Sequence, residues 1–336
     1  MSDPKAWFIE QLRGELPQGV DADDYLHPAI NAMIEDASAT ETQGLLFSVP
    51  DQGITCMGYF WHQPRRRLVT GGCMAWQGKK PFILPCELMD MRNYMSDDVL
   101  ANDIGDYRLV MGYRAQVIEP RRRLRMTYED EARGNAFDVE LEAIMPLAMA
   151  PHGRHFEQAM RTRGWIRLRG KRYDVDGYSI RDRTWGEARG EAPVPTPPIG
   201  WLNGIFGDDF AFSATVIDHP DLDPIWKDHF EIAADRTLLS GWVWRDGEVV
   251  AIASGRKKTT YDTSTLIPER VAFDFIDARG REYAASCESV NAAPTNTWMN
   301  LHAPVYLARW RCNGRDGWGE SQDLIWNDAA QWMLNR

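Results

Sequence analysis

Turn-forming dipeptides recur at short intervals along this chain, and they constrain its fold more than anything else in it. Gly78-Lys79, Gly134-Asn135, Gly170-Lys171, Asp246-Gly247, Arg279-Gly280, Asn313-Gly314 and Asp316-Gly317 separate runs that are alternating or β-branched, such as DYRLVMGYRAQVI, LLSGWVW and VAFDFID. Many short strands joined by tight turns predict an antiparallel sandwich or barrel. No glycine-rich phosphate loop opens a helix after a strand, so nucleotide-binding folds have no support. Helices are few: Pro4–Leu16, Pro28–Ala39 and Asn327–Leu334.

The length, 336 residues, suits two domains. The segment Met145–Gly164 lacks strand alternation and carries Pro146, Pro151 and Gly153, which places the boundary near residue 150: an N-terminal β domain over 1–150 and a C-terminal one over 151–336. A second irregular stretch, Gly190–Trp201, has four prolines and cannot be a central strand. The motif PRRRL occurs twice, at 64–68 and 120–124, each time between strand-like runs, and reads as two basic turns facing water.

A net charge of −11 argues against nucleic acid as a partner, because phosphates call for a cationic surface. No apolar run approaches the roughly 20 residues that span a bilayer, and MSDPKAWFIE is too polar for a signal peptide. Five cysteines without a CxxC pair read as reduced thiols in a cytoplasmic protein. No zinc-ligand spacing occurs apart from His152 and His155, which read as part of a polar linker, so no metal site is expected. Fourteen tryptophans fit either large cores or a pocket for a bulky apolar ligand.

The segment Gly164–Gly190 begins as a hairpin and ends in Tyr178, Arg181, Asp182, Arg183, Trp185, Glu187 and Arg189. On a strand, Tyr178, Ile180, Asp182 and Thr184 share one face, while Ser179, Arg181, Arg183 and Trp185 share the other. If Asp182 faces an apolar space, burial raises its pKa and makes it a proton donor or acceptor. The alternative is an Asp182–arginine ion pair. Trp185 is either a π face for a cationic intermediate or a core indole.

The run DGYSIRDRTWG, Asp176–Gly186, resembles the motif of the hydroxyneurosporene synthase-like group, which includes carotenoid hydratases, AttH-like proteins and an uncharacterised bacterial branch. Asp182, Trp185 and Gly186 match; Arg183 stands where many members carry histidine. GWGESQDLIW, Gly317–Trp326, and Gly58–Trp61 add weaker support. The resemblance implies two tandem lipocalin-like (calycin-type) antiparallel β-barrel or sandwich domains, a hydrophobic small-molecule ligand and no cofactor. It also implies that an Asp–His proton relay cannot run unchanged through Arg183. Hydration–dehydration, isomerisation or cyclisation of a terpenoid, steroid or aromatic compound follows, with Asp182, Arg181 and Glu320 as candidate catalytic residues and Tyr178, Arg183, Trp185, Trp201, Trp61 and His302 as candidate substrate contacts. Two other readings remain: a non-catalytic carrier for a hydrophobic ligand, and a carbohydrate-active sandwich with an open aromatic groove.

Overall fold

The computed structural model describes residues 24–189, 196–223, 225–226, 229–230, 232–295 and 300–335. The expected helix Pro4–Leu16 lies outside them, as does much of the proline-rich stretch after Gly190. The helix expected over Pro28–Ala39 is shorter, α1 Pro28–Ala32. It stops because the chain turns at Asp36, whose carboxylate accepts hydrogen bonds from the Ser38 backbone and hydroxyl, and then enters β1, Ala39–Val49.

The first unit is an antiparallel sheet curled into a half-barrel. After β1 come β2 Ile54–Gln63, β3 Leu68–Gln77, β4 Leu88–Ser96, β5 Asp106–Arg108, β6 Arg114–Glu119, β7 Arg123–Asp130, β8 Asn135–Ala143, β9 Ala148–Met149, β10 His155–Leu168 and β11 Lys171–Ala188. The strand order is β4-β3-β2-β1-β11-β10-β8-β7-β6-β5, with β9 on the side of β10. Leu45, Phe47, Phe60, Leu124, Phe137 and Val139 are among the side chains that fill its interior.

The second unit is a closed barrel of eight strands, each paired with the next and the last with the first: β12 Ile199–Gly207, β13 Phe210–Ile217, β14 Leu238–Arg245, β15 Glu248–Tyr261, β16 Pro268–Asp277, β17 Glu282–Thr295, β18 Leu301–Cys312 and β19 Arg315–Trp326. β17 alternates exposed and buried residues along most of its length, the signature of a strand with one wet and one dry face. Aromatic rings fill the interior, with Phe275 stacked between Phe273 and Tyr283 at 4.7 Å on each side. Helix α2, Asn327–Leu334, follows where the sequence predicts it and packs Ala329 and Ala330 against Trp226. Among the described residues no helix is long and apolar enough to cross a membrane.

The division between the units lies between Ala188 and Ile199, not at residue 150. Pro146, Pro151 and Gly153 interrupt the chain only briefly. From His155 it resumes as β10, whose backbone groups pair with β8 and β11, and β11 pairs with β1. Three turns have positive φ at both central residues, Arg169-Gly170, Asp246-Gly247 and Asn313-Gly314, as two-residue hairpins require. The sequence reading set the first of these one residue late. It also took two other glycines for hairpin turns: Gly317 lies inside β19, and Gly78 opens a longer loop to β4. Both PRRRL segments are exposed hairpin turns, joining β2 to β3 and β6 to β7.

The units meet through an apolar layer that includes Leu46, Met57, Trp76, Ile180, Ile205 and Trp242. Asn291 of the barrel sits in that joint: its amide donates to the Gly53 carbonyl at 2.8 Å, and its oxygen accepts from Trp76 Nε1 at 3.2 Å.

Candidate functional site

Four strands of the first unit, β2, β1, β11 and β10, turn one face toward the closed barrel. Their register sets side chains in rows. Tyr59, Gly44, Asp182 and Glu157 lie directly across from one another. Trp61, Thr42, Thr184 and His155 form the next row. On the other side of the Asp182 row come the apolar Met57, Leu46, Ile180 and Ala159. The face is therefore greasy where the units seal against each other and polar where it opens. Tyr59, Trp61, Asp182, His155 and Trp201 are all half-buried there.

Glu157 is the fixed point of the polar rows. The indole N–H of Trp201 on β12 and that of Trp242 on β14, the latter at 2.6 Å, donate to its carboxylate. His155 Nε2 lies 3.3 Å from the same carboxylate, and its Nδ1 is 2.8 Å from Thr184 Oγ1. Burial alone would raise the pKa of Glu157, but the His155 hydrogen bond and charge outweigh it, with help from Ser213 and Trp201, and hold it below the usual value. Burial in turn opposes charge on His155, yet Glu157 and then Asp182 keep its pKa above the ordinary imidazole value. The two form a charged pair across adjacent rungs of one strand. Beside them is a small, partly open pocket lined by His155, Glu157, Trp242, Ser213, Ser240 and Pro151, with a volume of about 20 Å³, room for about one water.

Asp182 stands next to this pair. Its carboxyl is pushed up to about 6, first by burial and also by the charge of Glu157, while His155, Arg189 and Arg183 pull the other way. Asp182 Oδ1 occupies the space where a Cβ at position 44 would lie, so only glycine there lets the carboxylate lean across β1. Unlike Glu157, it accepts no hydrogen bond from any described residue. On the far side of Gly44, burial pushes the Tyr59 phenol up to about 12, against the pull of the Arg189 charge. The arrangement offers a proton acceptor that titrates near neutrality and a phenol that keeps its proton.

The arginines expected beside Asp182 point the other way, into the first unit. Arg181 donates to Asp24 Oδ1 at 2.5 Å and to Gln158 Oε1 at 2.8 Å. Arg183 donates to Glu41 and to the Thr42 and Tyr25 carbonyls. His27 stacks on Trp185 with ring centroids 4.0 Å apart and bonds Glu41 at 2.9 Å. Arg181, Arg183 and Trp185 thus close one end of the half-barrel with the segment 24–32; neither arginine pairs with Asp182. Strand alternation separates them, as the sequence implies, and carboxylates far along the chain claim the arginines.

Of the other candidates, Trp201 and Trp61 stand half-buried at this face, the latter with Nε1 2.6 Å from Thr40 Oγ1. Tyr178 lies further along β11, bonding Asp208 at 2.9 Å beneath Arg161. His302 bonds the Thr265 carbonyl at 3.0 Å within the closed barrel, apart from both rows. The sequence reading missed Glu157, Tyr59, Gly44 and Trp242, and took His155 for a linker residue.

Glu320 is fully buried in the joint between the units, where the hydroxyls of Ser48 and Ser179 donate to its carboxylate. Burial pushes its carboxyl up to about 7. The folded protein therefore holds this proton more tightly than the unfolded chain, and the stability it brings, present below about pH 4.5, is lost as pH rises through about 7. The contribution is about 3 kcal/mol. Comparing urea midpoints at pH 5 and pH 8 checks it: the wild type is expected to lose stability over that interval by more than Glu320→Gln does, and equal losses would refute the assignment.

A family described as a domain of unknown function, DUF7064, matches residues 21–329. The chain belongs to the DUF7064 family. None of the curated proteins compared with it matches. Among solved structures, an AttH-type protein of Nitrosomonas europaea is similar over 93% of this chain and 99% of its own, with a TM-score of 0.62 at 12% identity. Kievitone hydratase of Nectria haematococca is similar over 93% and 95%, at 0.52 and 9% identity. CghA is similar over 86% and 89%, at 0.53 and 11% identity. What this DUF7064 member shares with them is the fold, two lipocalin-like β units in tandem.

Proposed function

We propose that the cleft between the units is an acid–base site, with Asp182 as the group that exchanges a proton with a hydrophobic small molecule. The reaction class is addition or loss of water, isomerisation or cyclisation, and it needs no cofactor. The observation that carries this reading is the Asp182 carboxylate itself: half-buried, hydrogen-bonded by none of the described residues, pushed up to about 6, and set beside a histidine–glutamate pair that is fully engaged. Groups poised near the working pH are the most effective proton carriers. Glu157 and His155 set the electrostatic environment of Asp182, and the pocket that these two line has room for about one water. Trp61, Trp201 and Trp242 supply apolar wall. One structural relative is named a hydratase, which is in keeping with this class of reaction.

The resemblance of Asp176–Gly186 to the hydroxyneurosporene synthase-like motif fits the same reading at Asp182. Arg183, in the place of the group's histidine, is tied to Glu41 on the opposite face. The imidazole near Asp182 comes instead from His155, across the β10–β11 hairpin. The carrier reading would place a ligand inside a barrel, but side chains fill both interiors.

The test is a pH profile of turnover, measured on a panel of prenylated phenols, terpenoid alcohols and cyclic enones. The ionised carboxylate is the active form, so kcat/KM rises as pH climbs through about 6 and levels off above it. Asp182→Asn abolishes that limb. Substrates turned over at a rate that is flat from acid to neutral pH would exclude Asp182 as the base.

A further inference from the structure

The pocket beside Glu157 has a second wall, and its chemistry points to a ligand. That wall is a patch of hydroxyls on the outer face of the closed barrel, where Ser213 and Thr215 of β13 pair with Trp242 and Ser240 of β14. Phe212, Ala214, Val216 and Val243, on the same strands, fill the barrel core, so alternation turns the hydroxyls outward. They face His155 and Glu157 of β10. Ala211 and Trp244, next along these strands, belong to the apolar layer that seals the units. The hydroxyls therefore interrupt a greasy face. Ser213 is only 1% exposed, and its hydroxyl meets no hydrogen-bond partner among the described residues. It comes close enough to the Glu157 carboxylate to help hold it ionised, but not in hydrogen-bond geometry. A buried hydroxyl left unpaired is costly, and a ligand oxygen in the pocket would remove that cost.

We propose that this pocket binds a single hydroxyl group, that Ser213 is the residue that selects it, and that the ligand is a hydrophobic alcohol. The volume, about 20 Å³, admits one oxygen-sized group and is too small for the several oxygens of a carboxylate or phosphate. Charge points the same way: Glu157 is matched by His155, so no charge in the wall is left for an anion to pair with. Glu157 already accepts from Trp201, Trp242 and His155, and a carboxylate has about four acceptor positions. An alcohol both accepts from Ser213 and donates to the acceptor position that remains. A carbonyl oxygen can only accept. Because the pocket is partly open, the carbon body leaves it along Ala148, Ala150, Pro151 and the Trp242 ring. Glu157 lies directly across from Asp182, one strand spacing of about 5 Å away, so one small molecule can span both. The binding stands on this pocket alone; only the step from bound alcohol to substrate rests on the acid–base reading of Asp182.

The experiment titrates the full chain with probes that differ in one group, 4-(trifluoromethyl)benzyl alcohol, 4-(trifluoromethyl)toluene and 4-(trifluoromethyl)benzoate, followed by fluorine NMR. Wild type is expected to bind the alcohol about 5-fold or more tightly than the toluene, the scale of one hydrogen bond, and more tightly than the benzoate. Ser213→Ala brings the alcohol-to-toluene ratio close to unity and leaves the toluene affinity nearly unchanged, a split that a merely structural role would not produce. Ser240→Ala, on the less buried side of the same wall, lowers the ratio to a smaller extent and keeps the test open if Ser213→Ala unfolds; a melting curve accompanies each. Equal affinity for alcohol and toluene in wild type, tighter binding of the benzoate, a ratio unchanged in every variant that folds, or no binding of any probe overturns the inference. None of these results alters the pH limb assigned to Asp182, and a flat pH profile leaves the alcohol preference standing, so the two readings fail separately.

Discussion

Asp182→Asn is expected to lower kcat by about 10²–10⁴-fold, the usual contribution of a positioned general base. Asparagine keeps the size and planarity of the side chain, so it still fills the space over Gly44 and still lies beside His155 and Glu157. What it loses is the capacity to take a proton. KM is expected to change little, because the apolar wall of tryptophans is untouched. The protein should be no less stable: a carboxyl raised to about 6 by burial is one whose ionised form the fold disfavours, so a neutral amide relieves that cost at neutral pH. Steady-state rates with melting curves decide it. Turnover that persists at the wild-type rate in a folded Asp182→Asn protein removes this residue from the chemistry.

The largest effect on stability is expected on the opposite face of the same strand. Arg183→Met should cost about 3–5 kcal/mol, the range seen when one partner of a buried ion pair is removed. Both Arg183 and Glu41 are fully buried. Methionine fills part of the volume but leaves the Glu41 carboxylate with only His27 and Asn31, and leaves the Thr42 and Tyr25 carbonyls short of a donor. Arg65, on the exposed β2–β3 turn, is the control, and Arg65→Gln should cost under about 1 kcal/mol. Urea unfolding of both variants gives the comparison. The Glu41→Gln/Arg183→Met double variant should recover part of the loss, because no unpaired charge then remains. A single Arg183→Met variant as stable as wild type would show that the pair does not hold the half-barrel end together.

Much of the site was legible in the sequence in one respect and hidden in another. Alternation along β11 correctly separates Asp182 from Arg181, Arg183 and Trp185, because opposite faces follow from the pleat of a single strand. The neighbours of Asp182 were also within reach. Counting outward from a two-residue turn at Arg169-Gly170 brings Glu157 opposite Asp182 and His155 opposite Thr184. Centring the turn on Gly170-Lys171 slips the register and brings Ala159 opposite Asp182 instead. A hairpin that continues through His155 also conflicts with a boundary at 150, so the misplaced boundary and the missed histidine share one origin. Prolines in a short loop were read as the end of a domain.

Tyr59, Gly44 and Trp242 are a different case. Tyr59 and Gly44 reach the site through the pairing of β1 with β11, which joins residues some 140 positions apart. The Trp242 indole arrives from the second unit. Nothing local to any of them marks that destination.

What the sequence determined alone is the antiparallel β class, the hairpins and the face on which each residue of a strand stands, because period-two alternation and positive-φ turns are properties of neighbouring residues. The tertiary structure decided that Arg183 meets Glu41 and not Asp182, and that Asp182 shares a row with Tyr59, Gly44 and Glu157 on the face turned toward the second unit. Those outcomes depend on which distant strands pair and how two units dock. Hydrophobic burial and backbone hydrogen bonding over the whole chain select such pairings, and no short window of residues encodes them.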